Sequence, residues 1–184
     1  MLGYAFCGSF CPLGASFEVL SRLVASGAEV QPIMSECAYS TDTRFQSAEE
    51  FRLGVEELCK RKIIHTVKEA EPLGPKMPLS ALVIAPCTGN TLAKLAQGIT
   101  DTAVTMAAKA HLRADRPLLI ALATNDALSA NLRNIGLLMS RKNIYFVPMK
   151  QDDPEKKPYS LVCDFDMLKP TMMAAFAGRQ IMPL

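Results

Sequence analysis

The chain is predicted to fold as an α/β protein, a single-domain three-layer αβα arrangement around a doubly wound parallel sheet. Three observations carry that prediction. Short apolar runs alternate with segments of helical period along the sequence, as strands joined by helical crossovers do. Two of the runs, Ala81 to Ala85 and Pro117 to Ala123, are apolar at every position, as strands covered on both faces are. Four runs end in stretches rich in glycine, hydroxyl or amide groups, and in such sheets ligands bind outside the carboxyl ends of the strands. With 184 residues, 49% of them hydrophobic, the chain is long enough for one domain with a sizeable core.

The elements follow in order. Leu2 to Cys7 is the first strand, and the turn Gly8-Ser9-Phe10-Cys11-Pro12-Leu13-Gly14 leads into a helix from about Leu13 to Ser26. Phe17, Leu20, Leu23 and Val24 share one face of that helix, and Gly27 stops it. Ala28 to Met34 is the second strand, and Ser35 to Thr43 is a polar loop at its carboxyl end. Ala48 to Lys62 is an amphipathic helix burying Phe51, Val55, Leu58 and Cys59. Ile63-Ile64 and Thr66-Val67 form a short irregular segment. Pro72, Gly74, Pro75 and Pro78 bar a regular helix from the stretch before the third strand.

The third strand, Ala81 to Ala85, ends at Pro86, and the loop Pro86 to Thr91 passes into a helix whose apolar positions begin at Leu92. Asp101 caps the next helix, which runs to about Arg113, by accepting first-turn N–H groups. The strand Pro117 to Ala123 exits through Thr124-Asn125-Asp126. A helix from Ala127 to Arg141 and a fifth strand, Ile144 to Pro148, come next. Lys150 to Pro158 is charged and proline-rich, a surface excursion. An extended Ser160 to Cys163 and a helix from Met167 to Ala177 close the sequence. No repeat or linker divides residues 1–184, which read as one domain with 149–184 as a charged loop and C-terminal helical extension.

Twenty basic and eighteen acidic residues are interspersed, for a net charge of +2, which leaves neither a nucleic-acid stripe nor a membrane-surface patch. No apolar run approaches the roughly 18–20 residues that span a bilayer. Met1 to Cys7 lacks a basic n-region and a cleavage site, so it reads as a strand and not a signal peptide. Cys7, Cys11, Cys37, Cys59, Cys87 and Cys163 show no metal-ligand spacing. They read as reduced small hydrophobes of a cytoplasmic protein, with no metal expected. Cys87 stands inside the third exit loop, where a small side chain permits close approach of a ligand.

That third loop is the centre of the sequence. The hydroxyls of Thr88 and Thr91, the amide of Asn90 and the free N–H groups of the following helix would converge on a phosphorylated or heteroaromatic ligand. The first loop is not G-x-G-x-x-G, and Met34-Ser35 stands where an acidic residue would hold a ribose, so a dinucleotide is poorly supported. A single phosphate fits better, bound by Ser9, the start of the first helix and a hydroxyl from Ser35, Ser40 or Thr41. A strand–helix turn that happens to contain Gly and Ser is the competing reading.

Arg44 is the candidate for a substrate carboxylate, because its planar fork gives bidentate contact; a salt bridge to a nearby Glu competes. His111 reads as a surface or packing histidine, and His65 lies in the irregular segment. Asp152-Asp153 reads as a solvated loop or, with Lys156, Lys157 and Tyr159, as a lid over a small polyanion.

Pro86-Cys87-Thr88-Gly89-Asn90-Thr91, followed by Leu-Ala-Lys-Leu-Ala-x-Gly-x-x-Asp, resembles the Pro-Ala-Ser-Ala-Asn-Thr motif and following helix of the flavoprotein family. That family holds phosphopantothenoylcysteine decarboxylases, lantibiotic peptidyl-cysteine decarboxylases and flavin prenyltransferases, and has a Rossmann-like fold. Gly8-Ser9 matches its first phosphate loop, and Ala123-Thr124-Asn125 lies where the decarboxylases carry Pro-x-Met-Asn. Four further stretches are similar to the branch that makes pyridine-2,6-dicarboxylate in sporulation: Thr41 to Phe45, Lys68 to Lys76, Thr124 to Leu128 and Gln151 to Pro158.

The resemblance implies FMN at a subunit interface of a trimer-based homo-oligomer. It also implies a nicotinamide-binding (NAD(P)) partner, the A component of the enzyme, and the oxidation of a dihydropyridine-type dicarboxylate. By position, Gly8, Ser9 and Phe10 would face the phosphate, assisted by Ser35, Ser40 or Thr41. Pro86, Thr88, Gly89, Asn90 and Thr91 would line the flavin ring and ribityl chain, and Asn125 would face substrate with Arg44, Lys76 and Lys156 as carboxylate holders. The decarboxylases' catalytic His is missing from Glu71 to Leu79, their cysteine-containing clasp is missing from Met149 to Tyr159, and Met106 replaces the prenyltransferase Arg. Cysteine decarboxylation is therefore the least favoured activity, behind a non-catalytic scaffold role that kept the fold.

Overall fold

A computed structural model describes residues 1–74 and 76–183; Pro75, one of the residues expected to bar a helix, and the terminal Leu184 lie outside the described residues. Five parallel strands form the sheet: β1 (Leu2–Phe6), β2 (Val30–Met34), β3 (Leu82–Cys87), β4 (Leu118–Thr124) and β5 (Ile144–Phe146). Their spatial order is β2-β1-β3-β4-β5. Register is set by Leu2 opposite Val30, Gly3 opposite Leu82, Leu82 opposite Leu118 and Leu118 opposite Ile144. The first four strands are buried at nearly every position, which is why β1, β3 and β4 are almost wholly apolar, while β2 buries Gln31 with its Nε2 donating to the Lys62 carbonyl at 2.9 Å.

Helices cover both faces. α1 (Leu13–Ala25), α2 (Glu36–Ser40), α3 (Ala48–Cys59), α4 (Val67–Ala70), α5 (Gly89–Gln97), α6 (Ala103–Leu112), α7 (Leu132–Met139) and α8 (Leu168–Phe176) follow in chain order. On one side α1 packs on α3 and on the 3-10 turn that leads into α8; elsewhere α6 packs on α4 and α5, and α5 on α7. Among the described residues no helix is long and apolar enough to cross a membrane. The core under α1 and α3 is aromatic: Tyr4 and Phe6 have ring centroids 5.1 Å apart, and Phe51 meets Phe6 edge-on at 5.2 Å. Tyr4 keeps its hydroxyl satisfied through Ser16, 2.9 Å away, whose own Oγ donates to the Ala85 carbonyl at 2.6 Å.

Two strands beyond the parallel set change the architecture. β6 (Met149–Lys150) and β7 (Leu161–Cys163) form an antiparallel hairpin whose loop is the charged excursion. β7 then pairs antiparallel with the end of β4, Ala123 opposite Val162 and Thr124 opposite Leu161. The outer edge of β4 is thus shared, its start by β5 and its end by β7.

Several boundaries differ from expectation, each for a local reason. β3 runs through Pro86 to Cys87, because the strand shifts register after Ile84 and the Pro86 carbonyl accepts from Cys7 N–H at 3.2 Å. Helix α5 therefore begins at Gly89, and only Thr88 remains as loop. Ser35 to Thr43 is not all loop: Ser35 caps α2 by accepting from Ala38 N–H at 3.2 Å. α3 stops at Cys59 because Lys60 is left-handed. Thr66 and Glu69 form a capping box that opens α4 in the segment read as irregular.

Asp101 does not cap α6. Thr102 does, in a reciprocal box with Thr105, while Asp101 is drawn off to Lys94 at 2.8 Å. α7 is half its expected length, since the Asp126 carboxylate gathers Thr124 Oγ1 at 2.6 Å and Asn131 Nδ2 at 2.9 Å and holds residues 125–131 in turns.

Candidate functional site

The carboxyl ends of β1, β3 and β4 open on a cavity of about 340 Å³. Gly8 to Pro12 of the first loop, Thr88 and Gly89, and Ala123 to Asn125 line it, with Asp152, Lys157, Ser160 and Val162 arriving from the hairpin. Ser9 Oγ donates to the Ala123 carbonyl at 3.2 Å, tying the first loop to the end of β4. Behind it α1 starts at Pro12, which makes no side-chain cap, and its first turn holds no acidic residue. Leu13 N–H donates to the Phe10 carbonyl at 3.2 Å, and Leu13 and Gly14 face the adjoining smaller cavity, so the helix start offers this cavity its positive dipole end more than its N–H groups.

α5 starts differently. Thr88 Oγ1 accepts from Thr91 N–H at 3.1 Å and donates to Thr91 Oγ1 at 3.0 Å, which in turn donates to Cys7 Sγ at 3.3 Å. Gly89 is closely packed: a Cβ there would lie 2.6 Å from both Asn131 Nδ2 and Thr124 Oγ1 and 2.8 Å from Asp126 Oδ1, and those side chains would have to shift. Asn131 accepts in turn from Asn134 at 2.8 Å. This amide–carboxylate cluster fixes Thr124 and Asn125 at the mouth. Burial pushes the Cys7 thiol up to about 11, partly opposed by the Thr91 hydroxyl, and raises Cys87 as well. Both stay protonated and offer no thiolate.

Gly8, Ser9, Phe10, Thr88, Gly89 and Asn125 are brought together at this cavity; Pro86, Asn90 and Thr91 are not among the residues that line it. Pro86 is buried in β3, Thr91 turns its hydroxyl inward to Cys7, and Asn90 is exposed on the first turn of α5. The second loop also stands apart. Ser35 spends its oxygen as the α2 cap, Ser40 Oγ donates to the Glu36 carbonyl at 2.8 Å, and Thr41 Oγ1 lies 3.8 Å from Cys37 Sγ.

Arg44 lays its guanidinium over the Phe45 ring, 4.7 Å from the centroid. It reaches neither the cavity nor the expected Glu. Phe45 and Thr43 instead line a smaller cavity of about 240 Å³, which shares Phe10 and Cys11 with the first. The second loop acts through Cys37, whose Sγ would be 2.7 Å from a Cβ on Gly8.

Cys87 ends β3 fully buried and does not line the cavity. His111 is a packing histidine, with Nε2 2.9 Å from the Pro117 carbonyl. His65 stacks on Tyr39 at 3.9 Å beside Glu69, outside the cavity. Of the residues that the sequence leaves between solvated loop and lid, Asp152 and Lys157 reach the cavity and Lys156 and Tyr159 do not. Ser160 and Val162 join them. The apolar residues on both sides of the excursion, Val147 to Met149 and Leu161 to Cys163, are the sequence signal for a hairpin that returns it to the rim.

The family model described as Flavoprotein matches residues 4–176. The chain is 45% identical over 183 residues to the B subunit of dipicolinate synthase from Bacillus subtilis (strain 168), covering 100% of this chain and 92% of that protein. The crystal structure of the dipicolinate synthase B subunit from Bacillus halodurans C superposes with a TM-score of 0.90 at 41% identity, over 99% of this chain and 93% of that one. AnUbiX (PadA1), solved in complex with FMN and dimethylallyl pyrophosphate, superposes at 0.69 with 20% identity over 96% of this chain and 91% of that one, which speaks for the fold alone.

Proposed function

The chain belongs to the Flavoprotein family, and from that premise we propose that it acts as the B-type component of a dipicolinate synthase. It would seat FMN in the carboxyl-end cavity during oxidation of a dihydrodipicolinate-type precursor to pyridine-2,6-dicarboxylate. The observation that carries the reading is the convergence of the first-loop backbone, the hydroxyl residues Ser9, Thr88, Thr124 and Ser160 and the Asn125 amide on one cavity.

The residues present fit the cofactor. A phosphate would lie against Gly8, Ser9 and Phe10, where the Gly8 and Phe10 N–H groups and the Ser9 hydroxyl would supply donors without a cation, Ser9 N–H being held by the Cys7 carbonyl at 2.9 Å. Thr88 and Gly89 would back the ring, with Pro86, Asn90 and Thr91 holding the turn that presents them. Ala123, Phe10 and Val162 give apolar surface to a heteroaromatic face. Asn125 would meet substrate, held by Ser160 Oγ 3.4 Å from its Oδ1. Arg44, stacked on Phe45 outside both cavities, would reach a substrate carboxylate only by leaving that ring.

A flavin, when bound, accepts the hydride that aromatising a dihydropyridine ring releases. The cavity is at the small end of the roughly 300–1,000 Å³ typical of ligand sites, so one chain supplies the floor and a second copy would close it. The nicotinamide-binding A component of the synthase would be the other partner. Titration of the purified chain with FMN, followed by flavin absorbance and fluorescence, tests the reading; a protein that takes up no FMN, alone or with the A component, overturns it. One observation favours a non-catalytic role for this chain: no histidine reaches the cavity. Synthase activity of the A component that is unchanged on adding this chain would decide for that role.

A further inference from the structure

The cavity lining contains two charged side chains, Asp152 and Lys157, and they are paired with each other at 3.0 Å. Neither is sequestered: 30% of the Asp152 side chain and 49% of the Lys157 side chain remain accessible. A half-exposed pair is screened by water and weakly held. The loop that carries it is better fixed than the pair. Lys157 N–H donates to the Asp153 carbonyl at 2.7 Å, Ser160 N–H to the Lys157 carbonyl at 3.0 Å, and Gln151 Nε2 to the Pro158 carbonyl at 2.8 Å. β7 clamps the other end to β4. Backbone and anchors are thus set, while the ammonium group is free to change partner.

An anion entering this cavity meets N–H and hydroxyl donors on one side and a single cation on the other. That cation already holds a carboxylate, and a second carboxylate would replace it with no change in the number of ion pairs. We infer that Lys157 is the oxyanion receptor of this cavity, occupied by Asp152 when no ligand is present, and that a carboxylate-bearing ligand binds by displacing Asp152. The placement of the ring ligand rests on the flavin reading; the receptor role of Lys157 does not. The oxyanion has two sources, a carboxylate of the small dicarboxylate or the phosphate of FMN, and the first is the one inferred, because the first loop with Ser9, across the cavity, would serve the second.

The test uses the full chain, apo and FMN-loaded, with pyridine-2,6-dicarboxylate as calorimetric probe and FMN titrated separately. Lys157→Gln should weaken the dicarboxylate at least tenfold and leave the FMN Kd within twofold, with Lys157→Arg recovering most of the loss. Asp152→Asn should act in the opposite direction and tighten the dicarboxylate severalfold, because the competing carboxylate is gone. Thermal melting of all three variants within a few degrees of the parent confirms intact folding. Loss of FMN affinity alone would assign the receptor to phosphate and overturn the carboxylate assignment.

Asp152→Asn weakening the dicarboxylate as Lys157→Gln does would overturn the exchange and make the pair structural. Dicarboxylate binding that depends on Lys157 in a chain that takes up no FMN would sink the flavin reading and leave this one standing. FMN binding with dicarboxylate affinity indifferent to Lys157 would do the reverse.

Discussion

The two ends of the sheet are built on opposite terms. At the amino end the polar groups are consumed by the backbone: Arg116 donates to the Leu79 carbonyl at 2.7 Å, Ser80 N–H to the Met1 carbonyl at 2.8 Å, and His111 meets the Pro117 carbonyl at 2.9 Å. Gly74, at φ +117°, leaves no room for a side chain, since a Cβ there would run into the Ala110 carbonyl. At the carboxyl end two of the side-chain bonds around the cavity are long, Ser9 to Ala123 at 3.2 Å and Ser160 to Asn125 at 3.4 Å, in front of the tight Asp126 cluster. One end sets stability; the other keeps donors that can be traded for a ligand's.

If that division holds, variants at the two ends should separate in what they change. The largest effect belongs to the closed end. Gly74→Ala combines backbone strain with overpacking and should cost about 3 kcal/mol, read as a fall in denaturant midpoint, while folded molecules keep their FMN affinity. A greater loss of affinity than of stability would break the division.

Next come two serines of the open end. Ser9→Ala should weaken FMN by about tenfold, a charge-assisted hydrogen bond being worth about 1.5 kcal/mol or more, with little change in Tm. Ser35→Ala should do the opposite, costing about 1 kcal/mol as a lost helix cap with the FMN Kd unmoved.

A smaller effect is expected from His111. Burial holds its imidazole below the ordinary 6.5, helped by the positive charge of Arg116 and opposed by the bond to Pro117. The unfolded ring therefore takes up its proton at higher pH than the folded one. The contribution is whole above about pH 6.5 and is lost as pH falls through the folded value. His111→Gln should flatten the stability profile on that acid side, measured by urea unfolding from pH 7 to 5; a flavin titration over the same range should not track it.

The smallest change is a rate. Only Cys11 and Cys37 are exposed, so native protein at pH 8 should present two thiols to an aromatic disulfide reagent. Bound FMN should slow Cys11, which lines the cavity, and not Cys37.

Much of the frame can be read from residues alone. β1, α1, β2 and β4 fall where apolar runs and helical spacing place them, because burial on both faces leaves a continuous signature. What escapes the sequence is competition among side chains for the same job. Thr100-Asp101-Thr102 offers three capping residues in a row, and the contest is settled by Lys94 drawing Asp101 away. Ser35 and Ser9 look alike as hydroxyls in exit loops, yet Ser35 has an N–H three residues on to accept from and Ser9 does not begin a helix.

The turn before α7 looks helical by composition and is undone by one carboxylate, Asp126, with two neighbours to bind. Of the candidate site, the sequence carries the meeting of Gly8, Ser9, Phe10, Thr88, Gly89 and Asn125 at one cavity. Lys157 joins them only through antiparallel pairing between strands of two or three residues, too short to leave a periodic trace.

The divided outer edge of β4 has an evolutionary corollary. Because the hairpin is grafted onto the last two residues of a strand that β5 already secures, its tip can lengthen, shorten or change charge without disturbing the hydrophobic interior. If Lys157 receives the ligand as inferred, ligand preference and folding become separately heritable traits, and new chemistry on this scaffold is most cheaply sought among residues 151–158.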